Sequence, residues 1–111
     1  MIELIVKKYI ENNLDIKVFF EFPKEKIKEF VLIDYIGSSS SNQLNSTRLA
    51  IQSYSDSLFK AASLNNRIKK ILNNIIELNE ISKIELDTDY NYSDKELKKY
   101  RYQAIFDIFH Y

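Results

Sequence analysis

The chain contains no cysteine, and glycine and proline occur once each, as Gly37 and Pro23. Without cysteine there can be no disulfide, no thiolate metal site and no cysteine nucleophile. A single glycine excludes a phosphate-cradling P-loop, which needs several glycines plus a lysine and a serine or threonine opening a helix. Charge of one sign is also lacking, because sixteen basic and sixteen acidic side chains cancel. The summed field therefore offers no general attraction for a phosphate backbone or an anionic membrane surface, and no specific nucleic-acid or membrane partner is expected. Nor is there a long apolar run at the start, where Glu3, Lys7 and Lys8 interrupt the pattern. That interruption argues against a signal peptide or spanning segment and points to a soluble, unexported protein.

What is present is enough apolar material for one core. Of 111 residues, 45% are hydrophobic and 14% aromatic, which suits a single domain and leaves no room for a second. Ile2, Ile5, Val6, Tyr9 and Ile10 recur at three- and four-residue steps, predicting a first helix that Asn12 and Asn13 close. Ile16, Val18, Phe20 and Phe22 then alternate with Lys17, Phe19 and Glu21, predicting a strand that Pro23 ends. After a solvated Pro-Lys-Glu-Lys connection, Phe30 to Ile36 is apolar on both faces, as an interior strand would be. Gly37 to Asn45 is small and polar and reads as a mobile loop between two strands.

Arg48 to Tyr54 predicts a third strand, and one of Ser55, Asp56 and Ser57 caps the helix after it. Ala61, Leu64, Ile68, Ile71, Leu72 and Ile75 keep helical spacing, giving a helix of roughly twenty residues, about 30 Å long. From Ser82 to Tyr90 the alternation puts Ile84, Leu86 and Tyr90 on one face and Lys83, Glu85, Asp87 and Asp89 on the other. Tyr100 to Tyr111 alternates again, with Tyr102, Ala104, Phe106 and Ile108 on one face, while Ile105 and Phe109 make the other face partly apolar. The order α-β-β-β-α-β-β predicts an α+β domain, an antiparallel or mixed sheet with both helices packed on one side.

Candidate chemistry is sparse. The sole histidine, His110, reads as an exposed end-of-strand residue with no local nucleophile motif. Glu85, Asp87, Asp89, Asp94 and Glu96 could be imagined around a hard cation, but their alternation reads as a solvated acidic face and no glycine turn of an EF-hand is present. Lys24, Lys26 and Lys28 interleave with Glu25 and Glu29, and Lys95, Lys98 and Lys99 with Asp94 and Glu96, so neither run is a single-sign patch. Eight tyrosines, several of them near the C-terminus, supply rigid amphipathic area of the kind enriched in interfaces. No catalytic, metal or cofactor residues are expected, and the chain reads as one that binds and assembles rather than catalyses.

The order of several short features resembles the tail terminator proteins of long-tailed phages and prophages, also called tail completion or tail-to-head joining proteins. The features are a leading helix, Glu21-Phe22-Pro23 before the strand Phe30 to Ile36, and Gly37 with a polar stretch. Leu49-Ala50-Ile51-Gln52-Ser53-Tyr54 and a helix containing Ala61-Ala62 follow, then Asp89-Tyr90-Asn91-Tyr92-Ser93-Asp94 and Arg101-Tyr102-Gln103-Ala104. Gly37-Ser38 stands where the family often has paired glycines, Tyr54 where it often has tryptophan, and Ser93 where proline is common.

The resemblance implies a structural virion protein without enzymatic activity, forming a ring, typically of six subunits, on the end of the tail tube. There it would stop polymerisation and present a surface to the head connector, first in the host bacterial cytoplasm and then at the head–tail junction of the virion. Its partners would be copies of itself, the tail tube protein and the head connector or neck protein. The expected interface comprises Gly37, Ser38, Ser39, Ser40, Ser41 and Asn42, the tyrosines Tyr90 and Tyr92, Arg101, and the apolar pair Ile105 and Phe109. The alternatives are a head-side neck or connector component and, from another class, a prophage regulatory module that binds a soluble protein.

Overall fold

A computed structural model describes all residues, Met1 to Tyr111, and has the predicted α+β order. Helix α1 spans Ile2–Asn13, strand β1 Val18–Phe19, β2 Phe30–Ser41, β3 Leu44–Ser55, helix α2 Leu58–Asn73, β4 Ile81–Asn91 and β5 Tyr100–His110. The five strands form one mixed sheet in the order β1-β2-β3-β5-β4, with only the β1–β2 pair parallel. No helix is long and apolar enough to cross a membrane.

Both helices cover one face of the sheet. Val6, Tyr9 and Ile10 of α1 and Leu64, Ile68 and Leu72 of α2 are buried in one cluster with Val31, Ile33, Leu49, Ile51, Ala104, Phe106 and Ile108. The strand members of that cluster share one parity, so a single pleated face supplies them all. Each fully buried leucine or isoleucine there contributes about 1.5–3 kcal/mol. Ser57 is the cap left open among three candidates: its side chain accepts from the Lys60 amide at 3.1 Å. Helix α2 ends at Asn73, and a 3-10 turn at Ile75–Glu77 extends it to about the expected length.

Four expectations need correction. The first strand shrinks to Val18–Phe19, because its alternating apolar residues are divided between destinations. Val18 enters the core, Phe20 stays exposed, and Phe22 sits 5.6 Å from the rings of both Phe30 and Tyr54 on the opposite face. A consequence is that β2 is interior only beside β1, at Val31 and Leu32, and is an edge strand beyond them.

The expected mobile loop Gly37–Asn45 is a β-ladder. Gly37 pairs with Arg48, Ser38 with Thr47, Ser39 with Ser46 and Ser40 with Asn45. Asn42 and Gln43, at φ 52° and 67°, make a two-residue turn of the kind whose twist suits a hairpin. Serines on a sheet edge remain solvated while their backbones pair, so their polarity did not demand a loop. Register shifts at Tyr35/Gly37 mark a bulge where the strand adjusts to its partner.

Strand β4 also departs from simple alternation. A bulge between Leu86 and Thr88 reverses the faces after Asp87. Asp89, expected with the solvated acids, turns toward α2, where its carboxylate accepts from Asn65 Nδ2 and Lys69 Nζ, each at 2.8 Å. Tyr90, expected beside Ile84 and Leu86, points to the helix-free face instead. Finally, His110 is only partly exposed and shares a 2.8 Å hydrogen bond between its Nε2 and Thr47 Oγ1.

Two outcomes follow from these local geometries. Gln43→Gly should raise stability by roughly 0.5–1 kcal/mol, since a side chain at positive φ is penalised and glycine is not; an unchanged or lower calorimetric melting temperature would contradict the turn. Hydrogen bonding to Lys69, helped by Asn65, holds the Asp89 carboxyl below its ordinary value against the opposing effect of burial. Its contribution is therefore present above the unfolded pKa of about 3.9 and is lost as pH falls through the lower folded value. Asp89→Asn should cost about 1 kcal/mol in urea unfolding at neutral pH and progressively less as the pH falls below about 3.9.

Candidate functional site: the helix-free face of the sheet

The ladder registers lay out the other face as rows running across the strands. Phe30, Tyr54 and Arg101 form the first row, and Leu32, Gln52, Gln103 and Tyr90 the second. Ala50, Ile105 and Thr88 form the third, Arg48, Asp107 and Glu85 the fourth, and Ser46, Phe109 and Lys83 the last. No helix covers these rows, yet several members are buried, Tyr54 to 5% and Gln52 and Gln103 to 8% exposure.

Neighbouring side chains do the covering. The rings of Phe30 and Tyr54 stack at 4.6 Å, and Phe22 stands edge-on to both. Such aromatic pairs add about 0.5–1.5 kcal/mol beyond their buried area. Arg101 lies over the rings of Tyr54 and Tyr92, 5.6 and 4.3 Å from their centroids, and donates to Tyr54 Oη at 2.8 Å and to the Tyr92 carbonyl at 2.7 Å.

From Tyr54 the hydrogen bonds continue along the second row. Tyr54 Oη donates to Gln52 Oε1 at 3.0 Å, Gln52 Nε2 to Gln103 Oε1 at 2.7 Å, and Gln103 Nε2 to Tyr90 Oη. The chain from Arg101 to Tyr90 thus spans β3, β5 and β4 with each polar group meeting another. Two rows away, Arg48 donates twice to Asp107 at 2.8 and 2.9 Å and also bonds Asp87. Hydrogen bonding to Asp87, then Asp107, raises the guanidinium pKa further above its already high value, so it remains charged.

Of the expected interface residues, Tyr90, Tyr92, Arg101, Ile105 and Phe109 come together on this face. The serine run divides by parity: Ser39, opposite Ser46, belongs to the helix-free side and Ser38 and Ser40 to the other, while all three border a groove beside the start of α1 with His110. Asn42 sits at the hairpin tip, away from the polar network. Sequence reasoning did not single out Gln52, Tyr54, Gln103, Arg48 or Asp107 for this site. The available signal was glutamine two residues from tyrosine or arginine in otherwise apolar strands.

The remaining acids do not converge. Glu85 pairs with Lys83, Asp87 with Arg48, Asp89 with Lys69, and Asp94 accepts from the Leu97 amide. No group of three His, Asp, Glu or Cys side chains is placed to hold a metal ion. The face offers donors, acceptors and rings held in fixed positions, an arrangement suited to recognition of another surface. No family model matches the chain, and no curated protein matches it in sequence.

The network makes a differential prediction. Gln103→Leu removes an acceptor from buried Gln52 and a donor from Tyr90, and should cost about 1–3 kcal/mol in urea unfolding. Tyr90→Phe removes only the acceptor at the part-buried end of the series, where water can replace it, and should cost less, about 1 kcal/mol. Equal costs would show that the bonds are not linked through Gln103.

Proposed function

We propose that this protein is a structural assembly protein of the tail-terminator kind. It caps the tail tube of a long-tailed phage, stops tube polymerisation and forms the joining surface to the head connector, as a ring of copies of itself. One observation supports this reading above others: the segments that carry the resemblance, far apart in sequence, contribute to a single network. Gln52 and Tyr54 come from the first, Tyr90 and Tyr92 from the second, and Arg101 and Gln103 from the third.

Tyrosine and arginine held rigidly on an exposed face are the residues that dominate interface energetics. Ile105 and Phe109 add apolar area to the same face, half-buried in the free chain. A ring needs a heterologous contact, in which this patch on one copy meets a different patch on the next and rotation closes the circle. Chemistry is not required of such a protein; its work is to recognise a finished tube and hold there.

The decisive experiment is electron microscopy of tails made with and without the gene. Overlong tails unattached to heads are expected in its absence, whereas tails of normal length that fail to attach would move the role to the head side. Phe109→Asp should fold, because Phe109 is outside the core cluster, yet leave tails unterminated. Normal tails from that variant would remove Phe109 from the interface.

A further inference from the structure

The two interleaved lysine runs are each balanced in sequence, but the fold brings them to one cleft. The connection between β1 and β2 and the turn between β4 and β5 wall a cavity of about 370 Å³ at the end of the helix-free face. Lys24, Lys26 and Lys28 line it from one side and Lys98 and Lys99 from the other, with Phe22, Phe30, Tyr54 and Tyr100 as its apolar wall. Only two carboxylates line it, Glu25 and Asp56, and Asp56 already pairs with Lys60 at 3.4 Å. Glu29 close by accepts a hydrogen bond from Ser55. None of the five lysines takes part in an ion pair.

The backbone of one of them gives a second, independent observation. Lys98 has φ 52°, in the left-handed region where asparagine or glycine is cheaper. At the hairpin tip the same conformation is taken by Asn42. A lysine at this position gives up backbone energy and gains a positive charge on the cleft wall. Lys99 lies 4.7 Å from the centroid of the Phe22 ring, whose residue is 51% exposed.

We propose that this cleft is an anion site that takes the backbone of a single-stranded nucleic acid. The charge excess is local and so escapes the zero net charge of the whole chain. Its cations are all lysines, point charges that attract phosphates without fixing their geometry, and so compatible with a backbone held without sequence preference. Exposed aromatic area beside basic side chains is the combination that strand-binding grooves use. The cleft adjoins the assembly face but does not depend on assembly, so it is testable on the free protein.

The probe is a fluorescently labelled oligothymidylate of about twelve nucleotides, followed by anisotropy. Engagement of about three phosphates should weaken binding roughly 20-fold between about 50 and about 200 mM salt. Lys98→Asn combined with Lys26→Gln should cut affinity about tenfold at low salt and reduce the salt slope by about 1.4. Because asparagine suits positive φ, Lys98→Asn should leave the melting temperature unchanged or raised, separating charge from folding. Lys70→Gln, at an exposed position of α2 outside the cleft, should leave binding unchanged.

No binding at low salt, or an equal loss from Lys70→Gln, would overturn the site. Displacement of the probe by tripolyphosphate or polyglutamate as effectively as by unlabelled oligothymidylate would overturn the strand as its ligand.

Discussion

The period-two alternation of β3 and β5 is the constraint on which the rest of the molecule depends. These two strands pair along their whole lengths, from Asn45 with His110 to Ser55 with Tyr100. Every side chain on them must therefore go to one of two faces, and both helices lie on the same one. Leu49, Ile51, Ala104, Phe106 and Ile108 fill the covered side. Arg48, Gln52, Tyr54, Arg101, Gln103, Ile105 and Asp107 are committed to the other by the same register. A slip of one residue would turn two arginines, two glutamines and an aspartate toward the helices, so the core and the uncovered face are specified by a single choice of register.

The uncovered face has to solve a problem that helices solve elsewhere. Gln52 and Gln103 are nearly sealed from water by their neighbours, and a buried amide without partners is costly. Pairing the two amides with each other, then ending the series in Tyr54 and Arg101 on one side and Tyr90 on the other, lets each exposed end be solvated while the middle is satisfied internally. Such a linked set fixes side-chain positions before any partner arrives, which lowers the ordering cost of association. Aromatic packing of Phe22 against Phe30 and Tyr54 does the same for the Tyr54 end of the network.

The element order and the core face of β5 were legible because apolar periodicity survives wherever one side of a strand is fully buried. Tyr102, Ala104, Phe106 and Ile108 could be assigned for that reason. Where the backbone inserts a residue, the same logic fails: the bulge at Leu86/Thr88 exchanged Asp89 and Tyr90, and no residue type in that stretch announces it. Phe20 and Phe22 imitated a strand because aromatic residues fill an irregular connection as readily as a pleat. Gly37 to Asn45 looked like a loop because Asn42-Gln43 is a weak hairpin signal beside the Asn-Gly that such turns favour. Of the candidate face, Tyr90, Tyr92, Arg101, Ile105 and Phe109 were visible in the sequence. Gln52, Tyr54, Arg48, Gln103 and Asp107 were not, since cross-strand neighbours are set by register, and those that join β3 to β5 lie about fifty positions apart.

The edges of the sheet bear on how copies would meet in the proposed ring. Along its outer side β4 carries Lys83, Glu85 and Asp87 and two bulges, devices that discourage another strand from adding to it. The free part of β2 carries the exposed Tyr35 and Ile36, but a bulge between Tyr35 and Gly37 breaks its regular ladder there, and beyond it Gly37 and the serines give an added strand only backbone bonds. Neither edge favours strong pairing between free subunits, and the preformed face between them is left as the better recognition surface. A contact that is weak in isolation suits a capping ring, because subunits seated on a symmetric tube end bind their neighbours intramolecularly. The tube would then supply by avidity what the edges withhold, and ring formation would wait for a finished tube.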